Sequence, residues 1–215
     1  MSSARDQILA TLRSQPSAKK KPLPAVMTSA CEDATPVEER ITAFSAMLDK
    51  LGAPVDVAAD MTAAATRIHE VLNEHGASSL ALSDAAEVMA IAASLPGSIE
   101  KVPHDAAREI LLRSDAGLST AQWAVAETGT LILASRHERH RLSTLLPDLH
   151  IALIPASRLV ATLGDAFARL TPDRGPDAAT ITFITGPSRT ADIELELVVG
   201  VHGPKALHVV IVKDA

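Results

Sequence analysis

Apolar positions along the chain fall into two alternating patterns, helical spacing and short unbroken runs. Val37, Ile41, Phe44, Leu48 and Leu51 recur at the period of one helix face. Thr35-Pro36-Val37-Glu38 supplies the start, with Thr35 as the cap, Pro36 at the first helical position and Glu38 three residues past the cap; Gly52 supplies the stop. Val55-Asp56-Val57 then reads as a strand. Ala64, Ala65, Ile68, Val71 and Leu72 mark a second helix that ends at Gly76, Ser79 to Leu82 a strand, and Ala85 to Ala93 a further helix. Between 95 and 125 the pattern is less regular, with a strand expected near Ser98–Val102 and a helix near Ala106–Leu112. Beyond it, Thr130–Ala134, Ile151–Ile154 and Thr180–Ile184 are apolar strand runs. Leu159, Val160, Leu163, Phe167 and Leu170 predict a helix that stops before Pro172, and Leu207 to Val212 a final strand. Strands written as continuous apolar runs and separated by helices predict an α/β fold, a mainly parallel sheet flanked by helices on both faces.

The N-terminal stretch reads differently. Residues 3–13 fit a short helix, with Ser3 and Asp6 at capping-box spacing and Ile8, Leu9 and Leu12 as its apolar face. Ser14 to Pro24 carries three prolines and the run Lys19-Lys20-Lys21, which suits a solvated linker or a contact with an acidic partner. The expected organisation is a helical arm and linker over 1–34, followed by one α/β domain over 35–215.

Composition narrows the function. The chain has 215 residues, 47% hydrophobic and 21% charged, enough to bury a core. With no Tyr, one Trp (Trp123) and three Phe, it lacks stacking platforms for single-stranded nucleic acid, and a net charge of −6 repels phosphate backbones. The single cysteine, Cys31, allows no internal disulfide and no thiolate-built zinc or iron–sulfur site held by this chain alone. No apolar run approaches the ~20 residues that span a bilayer, and no signal-type region opens the chain, so a cytoplasmic location is expected.

The chemistry-bearing residues cluster beside the strand runs. Ile181-Thr182-Phe183-Ile184 empties into a turn with Gly186, Ser188, Arg189, Thr190, Asp192 and Glu194, where no core is being built. The turn is neither a Walker A loop nor G-x-G-x-x-G. Arg189 suits a carboxylate or phosphate, with Asp192 orienting it; a capped structural turn is the alternative. In Ala126-Glu127-Thr128-Gly129-Thr130 a carboxylate beside a bend suits a nucleophile or base, or a plain solvated turn. Arg136-His137-Glu138-Arg139-His140-Arg141 is a local anion site or a solvated loop, and nothing around its His pair completes a metal site. His202, between Gly200 and Gly203, lies on backbone that can approach a ligand closely.

Taken together, Ala126-Glu127-Thr128-Gly129-Thr130-Leu131, Leu146-Pro147-Asp148-Leu149-His150-Ile151, the string from Gly186 to Glu194, and Gly200-Val201-His202-Gly203-Pro204 resemble the lactate-utilisation protein C family, built on the LUD domain. The nine-residue Gly186–Glu194 string is the most specific, and the resemblance spans the C-terminal half, about Gly117–Val212. It implies a fold similar to the glucosamine-phosphate isomerase, ribose-phosphate isomerase and CoA-transferase superfamily. It also implies a part in oxidising L-lactate to pyruvate beside iron–sulfur partner proteins; with Cys31 alone here, the clusters are expected in those partners. The expected site gathers the Glu127, Arg189 and His202 loops. Arg189 pairs with a small carboxylate substrate, His202 takes the lactate hydroxyl proton, and Thr128, Gly129, Arg136, Arg141, Gly186, Ser188, Thr190 and Asp192 contribute to binding. Two alternatives stand beside it: acyl, CoA-transfer or sugar-phosphate chemistry with Glu127 as nucleophile, and a non-catalytic scaffold.

Overall fold

Six parallel strands carry the fold: β1 (Val55–Asp60), β2 (Ser79–Leu82), β3 (Glu100–Val102), β4 (Ala116–Thr120), and two that follow much later in the chain. The computed structural model describes residues 4–14, 35–139, 141–170, 180–191, 197–200 and 203–214. Ser3, the Lys19–Lys21 run, Cys31, His140, Asp192, Glu194 and His202 lie outside the described residues. Met1–Cys31 and Glu32–Ala215 form two compact units. In the first, the expected helix is α1 (Ala4–Ser14), whose Thr11 and Ser14 hydroxyls donate to the carbonyls of Gln7 and Thr11.

The second unit begins with α2 (Val37–Lys50), which starts one residue past Pro36 and has no side-chain cap bond, so the expected Thr35 cap is not made. Between the strands already named lie α3 (Met61–Glu74), α4 (Ala86–Ser94) and the short α5 (Arg108–Leu111). Asp60 caps α3 by accepting from the Ala63 N–H at 2.8 Å. After β4 come β5 (Trp123–Val125), β6 (Thr130–Ala134), α6 (Arg141–Leu145), β7 (Leu149–Pro155), a 3-10 turn at Ala156–Arg158, β8 (Leu159–Val160) and α7 (Leu163–Leu170). Then follow β9 (Ile181–Ile184), β10 (Arg189–Ala191), β11 (Leu197–Val199) and β12 (Ala206–Asp214).

The parallel sheet has the order β1-β12-β7-β4-β2-β3. One face, with Leu80, Leu82, Leu118, Ile151, Leu153 and Val210, packs on Ile68, Val71 and Leu72 of α3 and Val88 and Ile91 of α4. The other face, with Ala152, Ile154, Val209 and Ile211, meets Phe44 and Leu48 of α2 and Leu131 and Leu133 of β6. Each of these large side chains, fully withdrawn from water, contributes about 1.5–3 kcal/mol. Arg40 is buried on the apolar face of α2, and its guanidinium reaches across to donate to the Leu159 carbonyl at 2.5 Å.

The second face differs from the expected helical cover. β6 and β9, expected in the parallel sheet, build a separate mixed sheet of order β8-β5-β6-β9, in which both pair antiparallel. An unbroken apolar run states that a strand is buried on both faces, not its direction or its sheet. Leu159 and Val160, expected in a helix, form β8 beside β5, and the helix begins only at Leu163. β4 carries Gly117 in the middle of the parallel sheet, where α6 lies so close that a Cβ would fall 1.7 Å from the Ser143 carbonyl oxygen.

Candidate functional site

The order of the strands marks where a ligand can enter. From β2 the chain winds outward to β3, whereas from β4 the next strand of this sheet is β7, on the opposite side. Winding therefore reverses at the carboxyl ends of β2 and β4, the crevice where open α/β sheets take ligands. A cavity of about 500 Å³ lies there, lined by Asp84 and Glu87 after β2, Thr120, Gln122 and Trp123 after β4, Arg158 after β7, and His137 and Arg169.

Each wall of this crevice is held by a polar contact. Arg158 donates to Glu87 at 2.6 Å and to the Ala121 carbonyl at 3.2 Å. The Arg169 guanidinium lies 4.9 Å from the centre of the Trp123 ring, a cation–π contact. The Gln122 side-chain oxygen accepts from the Ala134 N–H and ties β5 to the end of β6. Asp84 accepts from the Arg139 backbone N–H at 2.5 Å and from its guanidinium at 2.8 Å. Burial raises the Asp84 carboxyl, but the Arg139 N–H and guanidinium outweigh it and hold the group below the ordinary carboxylate range. Glu138 is buried behind the crevice and accepts from the N–H and the hydroxyl of Thr120.

A second cavity, about 300 Å³, opens against the Thr185–Arg189 loop and is also lined by Thr144, His150, Phe183, Gly203, Pro204 and Leu207. His150 on β7 is buried, and its Nε2 lies 2.8 Å from the Ser119 hydroxyl of β4. Three of the sequence clusters meet beside this cavity. The Thr128 hydroxyl donates to Thr130 at 2.8 Å, and Thr130 shares a 2.8 Å hydrogen bond with Thr185, so the Thr128–Thr130 and Thr185–Arg189 loops are joined by hydroxyls. Gly129 and Gly186, both at positive φ, press on the last turns of α2, where added Cβ atoms would meet Met47 and Leu51 at 3.1 and 3.2 Å. Arg189 donates to the Leu51 carbonyl at 2.5 Å. On the other side the Ser188 N–H donates to the Pro204 carbonyl at 2.9 Å, and the Gly200 N–H to Ser188 at 3.0 Å. Thr190 follows on β10; Asp192 and His202 flank this region in sequence but lie outside the described residues.

The remaining candidates are placed elsewhere. Glu127 accepts from the Leu163 N–H at 2.6 Å, at the start of α7. Arg136 is exposed in the turn after β6, and Arg141 is exposed at the start of α6. Neither lines either cavity. Asp84, Thr120, Arg158 and His150 were not among the sequence candidates. The available signal is position: Ser83-Asp84 ends a strand run just before a helix, and His150 interrupts the apolar run of β7. Among the described residues no group of three or more His, Cys, Asp or Glu is placed to hold a metal ion, and no helix is long and apolar enough to cross a membrane.

The lactate utilization protein C of Exiguobacterium sp. (strain ATCC BAA-1283 / AT1b) is 41% identical over 113 residues, which cover 51% of this chain and 49% of that protein. The lactate utilization protein C of Halalkalibacterium halodurans is 40% identical over 107 residues, 47% of this chain and 46% of the relative. The chain thus spans about half the length of the curated relatives it matches. A crystal structure of a DUF162 family protein from Deinococcus radiodurans shares the fold, with a TM-score of 0.64 at 21% identity, covering 83% of this chain and 99% of that one. Residues 41–212 match the family model described as the LUD domain, and the chain belongs to that family.

Proposed function

We propose that the chain is a cytoplasmic component of an L-lactate utilisation system that oxidises L-lactate to pyruvate together with iron–sulfur partner proteins. The observation that carries this reading is the identity of about 40% with relatives named lactate utilization protein C. In the reaction the C2–H and O–H bonds of lactate break, a C=O bond forms, and two electrons and two protons leave. With Cys31 as its one cysteine, the chain has no thiolate set to hold a cluster, so the electrons pass to centres in the partners.

Within this reading the substrate carboxylate is received beside the Gly186–Arg189 loop. Arg189 is anchored through one nitrogen to Leu51, which fixes the guanidinium fork for pairing with a carboxylate. Ser188 and Thr128 supply hydroxyls, and Gly129 and Gly186 allow close backbone approach. His202 serves as the base for the lactate hydroxyl. Deleting the gene for this chain and growing the cells on L-lactate as sole carbon source tests the role: growth on lactate is lost and growth on pyruvate is kept. Equal growth on both would remove the chain from lactate utilisation. A tagged copy co-purifies with proteins showing iron–sulfur absorption and electron-spin signals; recovery of the chain alone would exclude the partners.

A further inference from the structure

Next to the polar crevice, and sharing Asp84 as a wall, lies a third cavity of about 410 Å³ bounded by Leu82, Ser83, Met89, Pro103 and His104. Apart from Asp84, its lining is apolar save for three features. The Ser83 hydroxyl is fully buried and has no hydrogen-bond partner, and the Nε2 of His104 is likewise buried and unpartnered. Lys101 points its ammonium away, to the Leu95 and Pro96 carbonyls at 3.0 Å each. Folded proteins rarely leave buried polar atoms unmatched, and two beside one cavity mark where a ligand's polar atom belongs. The crevice on the other side of Asp84 offers the complementary chemistry. Arg158 spends two of its donors on Glu87 and Ala121, and its remaining donors have no partner among the described residues.

We propose that the two cavities together form a binding site for an amphipathic carboxylic acid larger than lactate. The carboxylate is received by Arg158 beside Trp123. The hydrocarbon body passes Asp84 into the Leu82–Met89–Pro103 compartment. An oxygen on that body, a carbonyl or a hydroxyl, meets Ser83 and His104. Asp84 does not repel the entering acid because Arg139 neutralises it through two hydrogen bonds. The site stands apart from the Arg189 cavity and does not rest on the lactate reading.

Trp123 is the chain's one Trp and there is no Tyr, so its emission reports the crevice directly. The experiment titrates the full chain with straight-chain monocarboxylates from butyrate to octanoate, with 1-octanol, and with 7-oxooctanoate. The site predicts that the acids change Trp123 emission, with Kd falling about fourfold per added CH2. It also predicts octanoate binding at least about tenfold tighter than octanol. 7-Oxooctanoate binds tighter than octanoate, and Ser83→Ala removes that difference while Arg158→Gln weakens all the acids. Three results overturn the proposal: affinity independent of chain length, octanol equal to octanoate, or no emission change with any acid. All three are read on the unaltered protein, so the test stands even if a variant fails to fold.

Discussion

Glu138 clamps the end of β4 through both carboxylate oxygens: one accepts from the Thr120 N–H at 2.7 Å, the other from the Thr120 hydroxyl at 2.6 Å. Thr120 lies where the parallel sheet hands over to β5, so this pair fixes the lip of the crevice at the point where the winding reverses. It also gives the Arg136–Arg141 loop a purpose that its charge alone conceals, since the loop's one acid is inside while Arg136 and Arg139 stay exposed.

Glu138→Gln keeps the volume and an acceptor for the Thr120 N–H, but its amide nitrogen must donate to the Thr120 hydroxyl, which has to turn, and two bonds to a carboxylate become weaker neutral ones. The expected cost is about 1–3 kcal/mol, seen by calorimetry as a Tm lower by roughly 3–10 °C for a domain of this size. An unchanged Tm would mean the clamp adds nothing to stability.

Gly117 tests the packing of α6 on β4. Gly117→Ala would place a Cβ 1.7 Å from the Ser143 carbonyl oxygen, which belongs to backbone and cannot step aside without moving α6. The expected cost is more than about 3 kcal/mol, with loss of soluble protein. Gly97→Ala, with nothing within 4 Å of the added atom, is the control and stays close to wild type in urea unfolding.

Legibility in the sequence followed the physics of each signal. Where apolar spacing persisted over several turns, as in Val37–Leu51 and Ala64–Leu72, helices α2 and α3 were found with their buried faces. Ala-Gly-Leu-Ser-Thr in β4 carries no strand signal, because small and polar residues hide a central strand even though all five are buried. Assignment to a sheet was equally hidden: Thr130–Ala134 reads the same in the parallel sheet or in the mixed one. The Thr128–Thr130 and Thr185–Arg189 clusters announce themselves through glycines and hydroxyls; they meet beside the end of α2, and Ser188 carries the contact on to Gly200 and Pro204. The switch-point crevice was not legible, since Asp84, Thr120 and Arg158 meet only after the chain order of the strands is known.

His208 on β12 provides a pH signature. It is buried, its Nε2 lies 2.6 Å from Asp56 of β1, and its Nδ1 has no partner. Burial pushes the imidazole below its ordinary value, more strongly than Asp56 pulls it up. A protonated ring would also carry a buried Nδ1–H with no acceptor, so the neutral Nε2–H form donates to Asp56. The unfolded chain takes up its proton near pH 6.5 and the folded one only below that. Stability is therefore full above about pH 6.5 and falls as the pH drops through that value toward the folded pKa. Asp56 is itself held below the carboxylate range; burial works against its charge, but Arg67 and His208 prevail, so its contribution fades at lower pH, below about 3.8. Urea unfolding between pH 8 and 5 shows the first decline, and proton NMR finds the His208 titration below 6.5. A titration above 6.5 would reverse the assignment and make the pair an ion pair.

The central claim, that this LUD domain chain acts in lactate oxidation, is tested most directly by pyruvate formation from L-lactate in extracts of lactate-grown cells. Extracts lacking the chain are expected to form none. Adding back the wild-type protein restores it, and adding Arg189→Ala restores about tenfold to a hundredfold less, the loss of a charged hydrogen-bonded pair. Undiminished L-lactate-dependent pyruvate formation in extracts without the chain would contradict the account.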